Sequence, residues 1–257
     1  VSGTGYAPEG RFTHHDDDAD PQEDPALVEL ARAGLLCSDA HLKQEDGKWH
    51  IEGMPTEGAV VVLACKAGLD REQQQQAHER IDQIPFESER RYMATLHHRS
   101  DGGNIAYIKG APERILELCS AQQGDSADGT FDRDTWKRRQ EELADNGHRI
   151  LAIAAKSMQE QTSLQEENLN ELTLLGMVGI IDPRRDEAVE AVRTCQTAGI
   201  TVKMVTGDHA LTARSIGKSI GIGNGEQVIT GKELDQIIEE DLPDTVESND
   251  VFARSSP

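Results

Sequence analysis

The clearest pattern of apolar and polar positions runs from Asn104 to Ser120. Ile105-Ala106-Tyr107-Ile108 is a run of β-branched and aromatic residues that predicts a buried strand. Gly110 breaks it, and the chain restarts as a helix with Pro112 near the first helical position and Glu113 in the first turn. Ile115, Leu116 and Cys119 follow at helical spacing, so this helix has one face to bury. Lys109 stands between strand and helix, beside a glycine that lets a ligand approach the backbone closely. A lysine there suits a phosphate, and it equally suits a solvated turn.

The flanking pattern supplies more elements. Residues 1–25 are Gly- and Asp-rich loop with Phe12 as a strand residue, and His14-His15-Asp16-Asp17-Asp18 reads as a solvated acidic loop. Asp24-Pro25 starts a helix through Leu36, and His41–Ile51 forms a polar hairpin around Asp46-Gly47. Thr56 is placed as a helix N-cap with Glu57 as first-turn acid, before the apolar run Val60–Ala64. Asp70 to Ile81 reads as a Gln-rich helix. The stretch from Ile84 to Leu96 is strand, polar turn and strand, pairing with Ile105–Ile108 through Asp101-Gly102-Gly103-Asn104. A helix over Asp132–Asp145 stops at Gly147, and His148–Ala154 is a strand.

After Leu172 the period changes. Leu174–Ile181 is a continuous apolar strand, Asp186–Ala198 an amphipathic helix, Ile200–Val205 a second strand and His209–Ile220 a second helix. Strand and helix alternating at this spacing predict parallel pairing with right-handed crossovers. Ligands gather beyond the carboxyl ends of such strands, where Asp182 and Asp208 stand.

Composition narrows the function classes. With 26 Lys and Arg against 47 Asp and Glu, the net charge of −21 argues against a nucleic-acid or anionic-membrane surface. A nucleotide site here needs its cations concentrated locally. Four widely spaced cysteines suggest buried, reduced thiols in a cytosolic compartment rather than a disulfide framework or zinc site. No secretory signal opens the sequence, and no apolar run approaches the ~18–20 residues of a membrane span.

Three segments carry a resemblance, in order along the chain. Lys109-Gly110-Ala111-Pro112-Glu113, Asp182-Pro183-Arg184-Arg185 and Met204-Val205-Thr206-Gly207-Asp208-His209 resemble motifs of the P-type cation-transporting ATPases, most closely their calcium-pump-like branch. Gly53-Met54-Pro55-Thr56-Glu57, Phe86 followed by Arg91, and Val251-Phe252-Ala253-Arg254 support it. The resemblance implies an α+β nucleotide-binding domain over residues 1–175, an antiparallel sheet flanked by helices. A partial α/β haloacid-dehalogenase-like, doubly wound phosphorylation domain follows over 176–257. It implies that Phe86 stacks on adenine, that Lys109 and Gly110 line the pocket, and that Glu57, Arg91 and Arg149 flank the nucleotide. It also implies that Thr206 holds the transferred phosphoryl group, with Gly207 and Asp208 at the same phosphoryl end, that Asp182, Asp208 and Arg185 face the nucleotide, and that Arg254 belongs to the nucleotide-binding set.

The function so implied is ATP binding in the cytoplasmic loop of an integral membrane pump. The pump couples ATP hydrolysis through an aspartyl-phosphate to cation transport, with Mg2+ in the intact enzyme. Its expected partners are the transmembrane and actuator domains of the same parent chain. Departures from the family pattern matter. Neither Asp-Lys-Thr-Gly-Thr nor Gly-Asp-Gly-x-Asn-Asp occurs, and the usual basic loop after Phe86 is Glu87-Ser88-Glu89. The expectation is a soluble fragment that binds nucleotide and lacks the phosphorylated aspartate. Two alternatives remain: a soluble haloacid-dehalogenase-like phosphatase, and a non-catalytic interaction module with an acidic docking surface.

Overall fold

A computed structural model describes residues 1–100, 102–124, 131–158, 161–181, 186–208, 210–223 and 227–254. The chain forms two compact units, one of Val1–Lys137 with Ile150–Ile180, the other of Arg138–Arg149 with Ile181–Pro257.

The first unit begins with the hairpin β1 (Phe12–His14) and β2 (Asp17–Ala19), then α1 (Pro25–Leu36). Asp24 caps α1 by accepting from the N–H groups of Ala26 and Leu27, and Pro25 occupies the first helical position. The hairpin β3 (His41–Glu45) and β4 (Lys48–Glu52) follows, then α2 (Pro55–Lys66) and α3 (Arg71–Ala77), the last capped by Asp70. The remaining elements are β5 (His78–Ile84), β6 (Tyr92–Arg99), β7 (Asn104–Gly110), α4 (Pro112–Leu118), β8 (Cys119–Gln122), β9 (Arg149–Ser157, whose first residue is counted with the second unit) and β10 (Leu172–Ile180), while α5 (Arg133–Asp145) starts in this unit and belongs to the second from Arg138.

Six strands make the main sheet in the order β5-β6-β7-β9-β10-β8. The pairs β5–β6, β6–β7 and β7–β9 are antiparallel, while β8 lies parallel to β10 at one edge. The period of two divides β6 and β7 cleanly. Ala94, Leu96, Ala106 and Ile108 pack with Ile115, Leu116, Ala152, Ala154 and Leu172 on one face. Met93, Ile105 and Tyr107 face Ala33, Leu36, Cys37 and Val60 of the α1–α2 layer. Thr95, His97 and Lys109 share the parity of that second face, and all three are buried.

The second unit contains α6 (Asp186–Thr197), β11 (Met204–Thr206), α7 (Ala210–Ile220), β12 (Ile229–Thr230), α8 (Gly231–Leu234), α9 (Leu242–Ser248) and β13 (Val251–Ala253). Its sheet, ordered β11-β13-β12, is entirely parallel. Val192, Ala213, Ile222, Val251 and Ala253 form its core.

Several expectations change. The strand read as the start of the parallel piece, Leu174–Ile181, is β10 of the six-stranded sheet and does not pair with β11. Both of its faces have apolar neighbours, so its continuous apolar run looked like a parallel-sheet strand. The Gln-rich helix stops at Ala77, because His78–Ile84 alternates and pairs along β6. Met54, not Thr56, is the N-cap of α2, with Pro55 in the first helical position. Cys119 opens the short strand β8 instead of extending α4.

His97 shows what the buried polar row demands. Its Nε2 lies 2.9 Å from the Thr95 hydroxyl and its Nδ1 3.1 Å from the His78 carbonyl. Those partners assign the proton to Nδ1, which donates to the carbonyl, and leave Nε2 to accept. Burial holds its pKa down at about 4 against the usual 6.5; the bond to the His78 carbonyl opposes this in part, and the nearby Arg80 charge adds a smaller downward push. Between those values the unfolded chain takes up a proton that folded His97 refuses, so stability falls as pH drops from 6.5 toward 4. Urea denaturation at pH 7.5 and 4.5 should show this histidine contributing about 2 kcal/mol to the loss. A His97→Gln variant should lack that increment; an equal pH loss in both proteins contradicts the assignment.

Candidate functional site

The C-terminal end of β7 carries the most constrained cation among the described residues. Lys109 is only 4% exposed. Its Nζ donates to Ser38 Oγ at 2.7 Å and to Glu57 Oε1 at 2.8 Å. Glu57 lies in the first turn of α2, where the helix dipole favours a carboxylate. Its other oxygen accepts from the Asp39 N–H at 3.3 Å. A buried ammonium needs such partners, since desolvation without them costs several kcal/mol. An ammonium has three N–H donors, and the third has no partner among the described residues.

Ser38 and Asp39 follow the end of α1, and the sequence reading assigned them no role. The Ser38 hydroxyl donates to Gly34 O at 2.7 Å. Two guanidinium groups gather the carbonyls there: Arg71 reaches Ser38 O at 2.8 Å and also Ala40 O. Arg80 reaches Leu36 O at 2.6 Å and Asp39 Oδ1 at 2.7 Å. Cations at a helix C-terminus oppose its negative dipole end. Cys37 sits beneath, its thiol pushed up by burial and pulled partly back by the Lys109 ammonium.

Phe86 and Arg91 lie at the same end of the sheet. The row Ile84–Ala94–Ile108–Ala154 runs across four strands, and Phe86 comes two residues after Ile84. Phe86 is 51% exposed, an available apolar side chain. Arg91 takes a left-handed backbone, φ +60°, and pairs with Glu113 at 2.8 Å. Its carbonyl accepts from the Ala111 N–H at 2.9 Å. Gly110 therefore has a different purpose from the one its neighbour suggested. A Cβ there would lie 2.4 Å from Arg91 O and 2.6 Å from Tyr92 Cβ, so the β6 backbone, not a ligand, excludes a side chain.

In the second unit, Thr206 Oγ1 is 3.0 Å from Asp208 Oδ2 and accepts from the Asp208 N–H at 3.1 Å. Arg149 pairs with Asp208 Oδ1 at 3.2 Å, and the Arg254 N–H donates to Asp208 O at 3.1 Å. Like Arg91, Arg254 has a left-handed backbone, φ +53°. Gly207 links Thr206 and Asp208 at the end of β11. Asp182 and Arg185 lie outside the described residues, as does His209. The predicted residues thus form two groups: Glu57, Lys109, Gly110, Arg91 and Phe86 at one end of the main sheet, and Arg149, Thr206, Gly207, Asp208 and Arg254 in the second unit. Among the described residues no cluster of three or more His, Cys, Asp or Glu is placed to hold a metal ion. No helix among them is long and apolar enough to cross a membrane.

The family model described as "P-type ATPase, cytoplasmic domain N" matches residues 26–187. The chain belongs to the P-type ATPases. That match includes the whole first group and Arg149, while Thr206 to Asp208 and Arg254 lie beyond it. All of the chain is 39% identical to the "Probable cation-transporting ATPase F" of Mycobacterium tuberculosis, of which it covers 29%. It is 32% identical to the "Calcium-transporting ATPase" of Bacillus subtilis over the full chain and 29% of that protein. It is 34% identical to human "Calcium-transporting ATPase type 2C member 1", again over the full chain and 27% of that protein. The chain thus spans less than a third of the length of these curated relatives.

Sequence reasoning selected Lys109 and Glu57 by resemblance but not their contact, which joins residues 52 positions apart. Ser38 gave a weaker signal: a small polar residue closing the apolar run Leu35-Leu36-Cys37. For Gly110→Ala we expect a loss of about 2 kcal/mol or more in folding stability, from overpacking against backbone. Chemical denaturation measures it, and an unchanged midpoint would contradict the close approach.

Proposed function

We propose that this chain is the ATP-binding cytoplasmic region of a P-type pump. The intact protein would couple ATP hydrolysis, through an aspartyl-phosphate, to cation transport across a membrane. Membership of the family and the names of the relatives support the pump; the calcium-transporting relatives favour calcium as its cation. The observation that carries nucleotide binding is the buried Lys109, held by two partners, with its third N–H unpartnered among the described residues.

In this reading Phe86, exposed in the turn that follows β5, offers its ring to adenine as an apolar contact. Lys109 donates its third N–H to an acceptor on the nucleotide, and Glu57 keeps the ammonium aimed. Gly110 and Arg91 shape the wall beside them; Arg149, in the second unit, carries a nucleotide role by resemblance alone. Thr206, Gly207 and Asp208 form a turn of hydroxyl, backbone N–H and carboxylate that suits a phosphoryl group. Arg254, Asp182 and Arg185 complete the assignment. The parallel sheet of the second unit belongs, in this reading, to a haloacid-dehalogenase-like phosphorylation domain. Mg2+ enters as the companion of the ATP phosphates in the intact enzyme, and the partners are the transmembrane and actuator domains of the parent chain.

Titration calorimetry tests the reading directly. ATP should bind the 257-residue chain. Lys109→Ala should weaken binding by roughly 1.5–3 kcal/mol if a charge-assisted bond is lost. Thermal unfolding of the same variant separates that effect from the cost of leaving Glu57 unpaired. No binding of ATP at millimolar concentration, or equal affinities for the two proteins, would sink the assignment.

A further inference from the structure

We propose that Ser38 is a positioning residue of the nucleotide site, acting through Lys109; this rests on the nucleotide reading above. Ser38 is fully buried. Its position is set from three sides. Its hydroxyl donates to Gly34 O, one turn back in α1, at 2.7 Å, which leaves the oxygen lone pairs pointing away from the helix. Its carbonyl accepts from Arg71 at 2.8 Å and from Arg80 at 3.3 Å. The next residue, Asp39, donates its N–H to the same Glu57 carboxylate that holds Lys109.

The consequence is geometric. A lysine side chain has four rotatable bonds and loses rotamer freedom when held in one conformer. One carboxylate fixes the distance to the ammonium but leaves it free to swing about that contact. A second acceptor, 2.7 Å away on a separate element, removes the swing and directs the remaining N–H. Glu57 therefore supplies the counter-charge, and Ser38 supplies the direction. A neutral hydroxyl suits this task, because a second carboxylate would draw the ammonium further into its pair and oppose an anionic ligand.

The experiment has two arms on the full chain. In the first, the amine acylation rate of Lys109 is measured without nucleotide, using a small amine-reactive ester and peptide mass mapping. Ser38→Ala should accelerate acylation of Lys109 about three- to ten-fold, as expected for losing one hydrogen bond. Ser38→Thr, which keeps the hydroxyl, should restore the slow rate. Lys156, whose Nζ is held by Asn168 and Asn170, is the control and should not change. Equal Lys109 rates, or Lys109 and Lys156 accelerating together, overturn the proposal.

In the second arm, ATP affinity is compared for Ser38→Ala in the wild-type and Lys109→Met backgrounds. A positioning role predicts about three- to ten-fold weaker binding in the first and less than about two-fold change in the second. Equal loss in both backgrounds marks Ser38 as merely structural and overturns the proposal. Absence of ATP binding by the wild type would instead remove the nucleotide reading, while the acylation arm still decides whether Ser38 directs Lys109.

Discussion

The contact on which the first unit turns is the ammonium of Lys109 between a hydroxyl and a carboxylate. A charge held at 4% exposure requires partners, and each partner comes from a different element. Glu57 fixes the first turn of α2, and Ser38 fixes the exit of α1. The α1–α2 layer is thereby registered on the sheet at one end by polar contacts, while Met93, Tyr107, Leu36 and Val60 pack it elsewhere. Stability alone does not explain this design. A buried ion pair replaced by apolar residues of similar volume is often neutral or stabilising. What an apolar replacement cannot provide is a directed N–H at the sheet end, and that is the property the proposed function uses.

The two sheet faces divide the work. The face built from Leu96, Ile108, Ala154, Leu172 and Leu174 is apolar, closely packed and gives rigidity. The opposite face mixes apolar contacts with Thr95, His97 and Lys109, each satisfied by a specific neighbour. Satisfied buried polar groups restrict the alternatives open to a core. The same economy appears in the backbone at the sheet end. Arg91 adopts a left-handed conformation, its carbonyl takes the space a side chain at position 110 would need, and Ala111 is hydrogen-bonded to it. Lys109 is thus followed at once by a residue whose conformation the neighbouring strand dictates.

Much of this was legible in the sequence because it is local. The β6–β7 hairpin, the helices begun at Asp24 and Asp70 and the existence of helices α6 and α7 follow from spacing and capping. The errors share a cause. Gln and Glu favour a helix through Ile81, but pairing along β6 ends α3 at Ala77 and makes His78–Ile84 a strand. Strand β10 was grouped with the parallel piece because an apolar run does not say which sheet it joins. The site followed the same rule. Lys109 and Glu57 were identifiable from motifs, but the bond to Ser38 spans 71 positions and no local signal encodes it.

The chain's acidity bears on how such a site can attract an anion. A net charge of −21 repels a polyphosphate at long range, but at physiological ionic strength screening confines that repulsion to about 8 Å. Recognition then depends on the nearest charges. Arg71 and Arg80 are committed to the carbonyls of Leu36, Ser38 and Ala40, and Arg91 to Glu113. These cations hold the frame in place. Lys109 differs in being buried, paired with one carboxylate and left with a donor unspent. An oriented donor in a water-poor setting interacts more strongly with its acceptor than a solvated donor does, because the local dielectric is low and little reorganisation is needed on binding. The scarcity of positive charge is therefore compatible with nucleotide binding, provided that Lys109 is aimed, and aiming it is the role proposed for the segment after α1.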